Sequence, residues 1–174
     1  MRVIRLERLG PDHAAAILAQ QDTALAEEIV GERWTAQSLG AFLERAARWR
    51  ADGPIREYAA MTDGGAGDAP GVLVGGGGLN LLDPGIERGE AALTYWVLAH
   101  HRGQGWGHAL AAELVARARS EARFARLVLR IAPTNHASRA LARRLGAEPT
   151  GAMERHPADP ARTVERWVLD LRGA

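Results

Sequence analysis

Residues 91–99, Ala-Ala-Leu-Thr-Tyr-Trp-Val-Leu-Ala, are a nearly unbroken apolar run of strand length. A strand of that kind is expected where layers cover it on both faces. The run therefore predicts the central strand of a layered α/β sheet. It leads at once into Arg102-Gly103-Gln104-Gly105-Trp106-Gly107-His108, and then into a helix predicted over 105–120 with Leu110, Leu114 and Val115 on its apolar side. Three glycines at alternate positions let the backbone turn sharply and aim successive N–H groups into one concavity, where the helix dipole also favours an anion. The pattern describes a pyrophosphate cradle that needs no lysine.

That last point matters because all 22 basic residues of the 174 are arginine. Arginine is permanently protonated and planar, so it cannot replace an ε-amine in Schiff-base or pyridoxal-phosphate chemistry, nor in a Walker-type phosphate site or a kinase fold. Cysteine is absent as well, which excludes thiol nucleophiles, iron–sulfur clusters, disulfides and cysteine zinc sites. A net charge of +1 does not suggest a nucleic-acid binder. The spacing of His100, His101 and His108 lacks the i, i+4 pattern of a zinc helix, and no metal is expected.

The remaining elements follow from period and punctuation. A first strand spans 2–8 and stops at Gly10-Pro11. A helix follows from Pro11 through Ile17, Leu18 and Leu25, and a second, capped by Thr35, runs through Trp49 to Asp52-Gly53-Pro54. Strands at 56–61 and 72–81 flank a loop at 62–71 and read as a hairpin. Within the second of them, Gly75-Gly76-Gly77-Gly78 lacks a following helix and reads as a bulged or twisted strand rather than a phosphate loop. Next come a strand at 126–132, a helix capped by Thr134 or Asn135 and ended by Gly146, and strands at 148–155 and 163–171 around a turn at 156–160. The order β, α, α, β, β, β, α, β, α, β, β predicts one domain over 1–174, with a sheet antiparallel at first and a strand–helix–strand crossover in its second half.

Two cofactor classes use a glycine turn of this kind. A dinucleotide site wants G-x-G-x-x-G in a βαβ unit opening the chain, with an acid about 20 residues on. Here the spacing is G-x-G-x-G, the turn follows the fourth strand, and the distal positions hold Arg126 and Arg130. Coenzyme A is the other class. Arg102-Gly103-Gln104-Gly105-Trp106-Gly107 closely resembles the R/Q-x-x-G-x-G/A signature of the GNAT N-acetyltransferase superfamily, and Tyr95-Trp96-Val97-Leu98 resembles its fourth strand. Asn135-His136-Ala137-Ser138 with Leu145-Gly146-Ala147 resembles its N-x-x-S/A … L-G-F helix. The tyrosine-tryptophan pair and the N-x-x-S form are most similar to the ribosomal-protein N-acetyltransferase (RimJ/RimL) branch.

The resemblance implies a mixed, mostly antiparallel sheet of six to seven strands with splayed central strands, flanked by about four helices. It implies acetyl-CoA as co-substrate and transfer of the acetyl group directly to a primary amine on a small molecule or a protein N-terminus, by a monomer or homodimer. Pantetheine would lie along Val97 and Ala99, and the Val97 or Leu98 N–H would polarise the thioester. Arg102, Gly103, Gln104, Gly105, Trp106, Gly107 and His108 would hold the pyrophosphate, with Trp106 packing beneath the turn. Asn135 would bond the pantetheine arm, Ser138 would lie near the sulfur or a phosphate, and Arg139, Arg143 and Arg144 would assist the adenosine phosphates.

The sequence departs from the family at its proton carriers. Ala91 and Ala92 occupy the place of the usual fourth-strand glutamate, and Ala142 that of the usual tyrosine. Ser138 remains as the acid. Glu90 is the first candidate base, followed by Asp83, Glu87, His100 and His101. These departures motivate the alternative of a non-catalytic acyl-CoA-binding or regulatory GNAT domain. Glu27, Glu28, Glu32, Asp83 and Glu87 would give the acceptor groove an acidic rim suited to a cationic amine. Charges at Arg2, Arg5, Glu7 and Arg8 break the apolar runs near the N-terminus, which predicts neither a signal peptide nor a membrane span, and a cytoplasmic protein.

Overall fold

The computed structural model describes residues 2–26, 32–62, 71–157 and 159–172. Strands β1 (Ile4–Arg8), β2 (Ile55–Thr62), β3 (Leu73–Asn80) and β4 (Glu90–Val97) form an antiparallel meander, joined to β5 (Arg126–Ile131), β6 (Glu148–His156) and β7 (Asp159–Asp170). The seven-stranded sheet has the order β1-β2-β3-β4-β5-β7-β6. Only β4 and β5 are parallel, and their pairing is confined to Glu90↔Arg126, Ala91↔Leu127 and Ala92↔Val128. Beyond Ala92 the two strands part, while β4 stays paired to β3 through Val97 and β5 to β7 through Ile131. The central strands are splayed as expected.

The helices cover both faces. Helices α1 (Ala14–Gln20), α2 (Thr23–Leu25) and α3 (Ala36–Ala46) close one face; α4 (Trp106–Arg119) and α5 (His136–Leu145) close the other. Under the first group lies a core of Ile17, Leu39, Leu43 and Trp96. Under the second lie Leu110, Leu114, Leu127 and Trp167. The run at 91–99 is covered on both sides because alternate residues feed the two cores: Leu93 enters one, Trp96 and Leu98 the other.

Three local expectations change. The helix predicted from Pro11 to Leu25 breaks at Gln21, where the backbone becomes extended, because Asp22 starts a new helix by accepting the Leu25 N–H at 2.9 Å. The following helix begins at the Thr35 cap as predicted but ends at Ala46, and the Trp49 indole beyond it donates to the Glu57 carbonyl at 2.8 Å. In β3 the register shift precedes the glycine run: Ala60 pairs with Gly75 and Met61 with Leu73, while the four glycines pair regularly with β4. The loop expected at 62–71 falls, from Asp63 to Pro70, outside the described residues.

The regular glycines leave room for neighbours. A methyl on Gly76 would lie 2.5 Å from Trp96 Cζ2 and 2.7 Å from the Tyr58 carbonyl oxygen. A methyl on Gly40, in the middle of α3, would meet nothing within 4 Å. Gly76→Ala should therefore destabilise by about 1–3 kcal/mol through overpacking, whereas Gly40→Ala should stabilise by about 0.5–1 kcal/mol through lower unfolded-chain entropy. Thermal denaturation of the two variants, with opposite shifts in Tm, checks the assignment.

Candidate active site

Where β4 leaves β5, a cleft of about 670 Å³ opens. Its walls come from four pieces of chain: Tyr95, Trp96 and Val97 of β4, the glycine turn, α5 from Asn135 to Arg144, and Ala24 and Leu25 of α2. The turn has the backbone its glycines permit. Gly103 and Gly105 have φ of +72° and +87°, in the left-handed region that glycine adopts without strain, and added methyls there would meet nothing within 4 Å. Gly105 is the N-cap of α4, and the first helical hydrogen bond runs from the Ala109 N–H to its carbonyl at 3.2 Å. The amides of Trp106, Gly107 and His108 precede that bond, so they have no partner within the helix. The opening therefore presents backbone donors at the positive end of a 14-residue helix.

Not every residue expected at the cofactor site reaches the cleft. Val97, Arg102, Gly103, Gly105, Gly107, His108, Asn135 and Ser138 line it; Leu98, Ala99, Gln104 and Trp106 do not. Leu98 is fully buried and its N–H donates to the Val74 carbonyl at 2.9 Å. Amide direction alternates along a strand, so the Val97 N–H faces the open side while the Leu98 N–H is committed to the sheet. Gln104 is exposed and turned back on the loop, its side-chain amide donating to the His100 carbonyl and its own carbonyl accepting from Arg2 Nε. The Arg2 guanidinium also stacks 4.4 Å from the Trp106 ring, which packs against the core.

Arg102 is a clamp. It donates to Asp22 Oδ2 at 2.6 Å, to Asp22 Oδ1 at 2.9 Å and to the Val97 carbonyl at 3.0 Å. One side chain thereby joins the N-cap of α2, the end of β4 and the glycine turn. The hydrogen bond from Arg102 lowers the Asp22 carboxyl below its usual value against an opposing desolvation, with further help from the Leu25 N–H.

Asn135 caps α5 by accepting the Ser138 N–H at 3.0 Å. The Tyr95 hydroxyl donates to Ser138 Oγ at 3.0 Å, across the cleft from β4 to α5. Tyr95 was read from sequence as part of the central strand and of the tyrosine-tryptophan pair, with no catalytic role assigned to it. The usable signal was its position two residues before Val97, which puts both side chains on one face. Arg144 lines the cleft, but Arg139 pairs with Glu165 and Arg143 stacks 5.2 Å from the Trp167 ring.

The candidate bases lie elsewhere. Glu90 is 3% exposed, at the paired end of β4, and is held by Arg166 at 2.7 Å and Arg126 at 3.5 Å. Asp83 pairs with Arg130, which also binds Glu154; burial opposes ionisation of Glu154, and the hydrogen bonds from Arg130 and Arg166 outweigh it and lower its carboxyl. Glu87 is exposed. His100 and His101 form a short 3-10 turn after β4, outside the cleft lining, and burial followed by repulsion from His100 lowers the His101 imidazole. Of the predicted acidic rim, Glu27 and Glu28 lie outside the described residues and Glu32 is exposed.

A family model described as an acetyltransferase (GNAT) domain matches residues 4–148. The chain belongs to the GNAT acetyltransferase family. Solved structures with the same fold include spermidine N-acetyltransferase from Vibrio cholerae in complex with CoA and spermine, 14% identical with a TM-score of 0.74 over 97% of this chain and 95% of that one. An aminoglycoside acetyltransferase in complex with coenzyme A is 16% identical, with a TM-score of 0.74 over 97% and 95%. A Vibrio cholerae protein provisionally assigned as a ribosomal-protein-serine acetyltransferase is 20% identical, with a TM-score of 0.73 over 98% and 94%. No match was found among curated proteins. Among the described residues of this GNAT domain no helix is long and apolar enough to cross a membrane, and no three His, Asp or Glu side chains gather as a metal site.

The clamp yields a test. Asp22→Asn keeps a good helix cap and removes the charge, so calorimetry should find CoA binding weakened by about two- to fivefold. Because the folded carboxyl is lowered below 3.8, its stabilising contribution is full above that pH and disappears as the pH falls through the lowered value. Acid titration of stability should show this loss in the parent protein and not in Asp22→Asn.

Proposed function

We propose that this GNAT domain transfers the acetyl group of acetyl-CoA directly to a primary amine carried by a small molecule or a protein N-terminus. The observation that carries the reading is the glycine turn, which opens onto the gap left where β4 abandons β5. Acetyl-CoA supplies an activated thioester, and the protein's part is to hold it, orient it and move protons. The amides from Gly103 to His108, with Arg144, suit the pyrophosphate end. The Val97 N–H offers a donor along the pantetheine path and toward the thioester carbonyl. Asn135 adds a polar group at the start of α5.

Ser138, expected as the acid, is supported by its hydrogen bond from Tyr95. The two hydroxyls form a relay: Ser138 gives a proton to the departing sulfur and Tyr95 replaces it. Glu90 acts as a strand-end anchor in this reading, since both of its arginine partners would have to be displaced before it could accept a proton. Absence of cysteine fits transfer without a thiol acyl-enzyme. Structural neighbours that are a spermidine N-acetyltransferase and an aminoglycoside acetyltransferase support a cationic small-molecule acceptor. The Tyr95-Trp96 pair, the Asn-x-x-Ser form and the provisionally assigned neighbour support the ribosomal-protein branch and an N-terminal acceptor.

The test is a panel of spermidine, an aminoglycoside and a tripeptide with a free N-terminus, followed by mass spectrometry of the acetylated product. Acetylation of one member with release of free CoA is expected. Release with none of them, together with intact CoA binding, would favour the non-catalytic acyl-CoA-binding domain. Tyr95→Phe should lower kcat on the order of 100-fold while leaving the Kd for CoA within a factor of about two.

A further inference from the structure

The glycine run of β3 remains unexplained by the cofactor. Gly76 and Gly78 share one face of the strand, two residues or ~7 Å apart, and each has a side chain from a neighbouring strand lying over it. The Trp96 indole, which lines the cleft, covers Gly76; the Glu57 carboxylate covers Gly78, where an added methyl would lie 2.6 Å from Glu57 Oε2. Glu57 and Thr94 are the register partners of Gly78 on its two sides. The carboxylate therefore leans from β2 across β3 toward β4, to within about one strand spacing, ~4.8 Å, of the exposed Thr94; both lie outside the cleft lining, beside Trp96, which belongs to it two residues further along β4.

We propose that Glu57 receives the ammonium group of the acceptor and takes up its proton, supplying from β2 the base that β4 lacks at Ala91 and Ala92. This rests on the acetyltransferase reading above. The proton of R–NH3+ passes to the carboxylate, leaving R–NH2. Its nitrogen bonds to the acetyl carbon as the C–S bond breaks. The second amine proton balances the thiolate through the Ser138 and Tyr95 hydroxyls, and Glu57 returns its proton to solvent. A desolvated acid with an indole nearby suits an acceptor that is cationic in solution.

Among the described residues no arginine reaches Glu57, in contrast to Glu90, Glu121, Glu154 and Glu165. On neighbouring β1, where the Leu9 N–H donates to the Glu57 carbonyl, Glu7 stands opposite Ala59 and is held by Arg5 at 2.6 Å and by His13 of the following 3-10 turn at 3.0 Å. On the other elements of this layer, Asp22 of α2 is held by Arg102, Glu44 and Arg45 of α3 are exposed, and β3 carries no titratable side chain. Part of the side chain is open to solvent, yet the protein around it is dense enough that desolvation raises the carboxyl to about 7. The group is thus half ionised near neutrality, where a base is most effective.

The experiment compares the parent with Glu57→Gln and Gly78→Ala, using whichever amine of the panel is acetylated. For the parent, kcat/KM should rise with pH through about 7. In Glu57→Gln it should fall by about 100-fold or more and lose that inflection, with the Kd for CoA unchanged. Gly78→Ala, whose methyl would lie 2.6 Å from Glu57 Oε2 and 2.5 Å from the Arg56 carbonyl oxygen, should lower kcat/KM in the same direction. A readout independent of turnover comes from stability. The folded protein holds a proton that the unfolded chain releases between pH 4.5 and about 7, so Glu57 should make stability fall as pH rises across that window, and Glu57→Gln should remove that fall. Glu57→Gln that turns over with parental kcat/KM and an unchanged pH profile overturns the proposal while leaving the acetyltransferase reading intact. A parent protein that fails to bind CoA overturns that reading instead.

Discussion

The parting of β4 from β5 after three paired residues is the constraint on which the remaining chemistry depends. Backbone amides in a sheet interior are ordinarily consumed by neighbouring strands. By leaving β5 to pair with β7 and β4 to pair with β3, the fold exposes one edge of each strand inside the molecule. An edge of that kind must be covered or must bind something. Here α5 and α2 wall the gap, and the glycine turn closes its end with further amide donors. In the proposed reading the pyrophosphate is met by main-chain amides, as a chain without lysine requires.

The same economy recurs among the side chains. Arg130 and Arg166 tie the loop after β3 to the outer strands through Asp83, Glu154 and Glu90, and Arg139 and Arg143, expected at the adenosine phosphates, lie over Trp167. Arg102 joins a helix cap, a strand end and the turn. A planar fork with several donors suits that bridging task better than a lysine point charge.

Glycine is used in two physically different ways. In the turn, positive φ at Gly103 and Gly105 redirects the backbone and turns amides toward the cleft. In β3, four glycines with ordinary extended backbone remove bulk, so that the Trp96 ring and the Glu57 carboxylate lie across the strand from opposite sides. The second use was read from sequence only as a bulge or twist, because local sequence does not disclose which neighbouring side chains will need the space.

Sequence alone determined the element order, the strand covered on both faces, the glycine turn and the Asn135 cap, since these depend on local period and local backbone freedom. It also determined what the chain cannot do, through the absence of lysine and cysteine. The break at Asp22, the commitment of the Leu98 amide to Val74, the locking of Glu90 by two arginines and the meeting of Tyr95 with Ser138 were decided only in three dimensions. Each joins or separates residues through register and strand order rather than spacing. The placement of Glu57 over Gly78 is of the same kind: β2 and β3 are fixed side by side by pairing, and a carboxyl's environment exists only once the layers have packed around it.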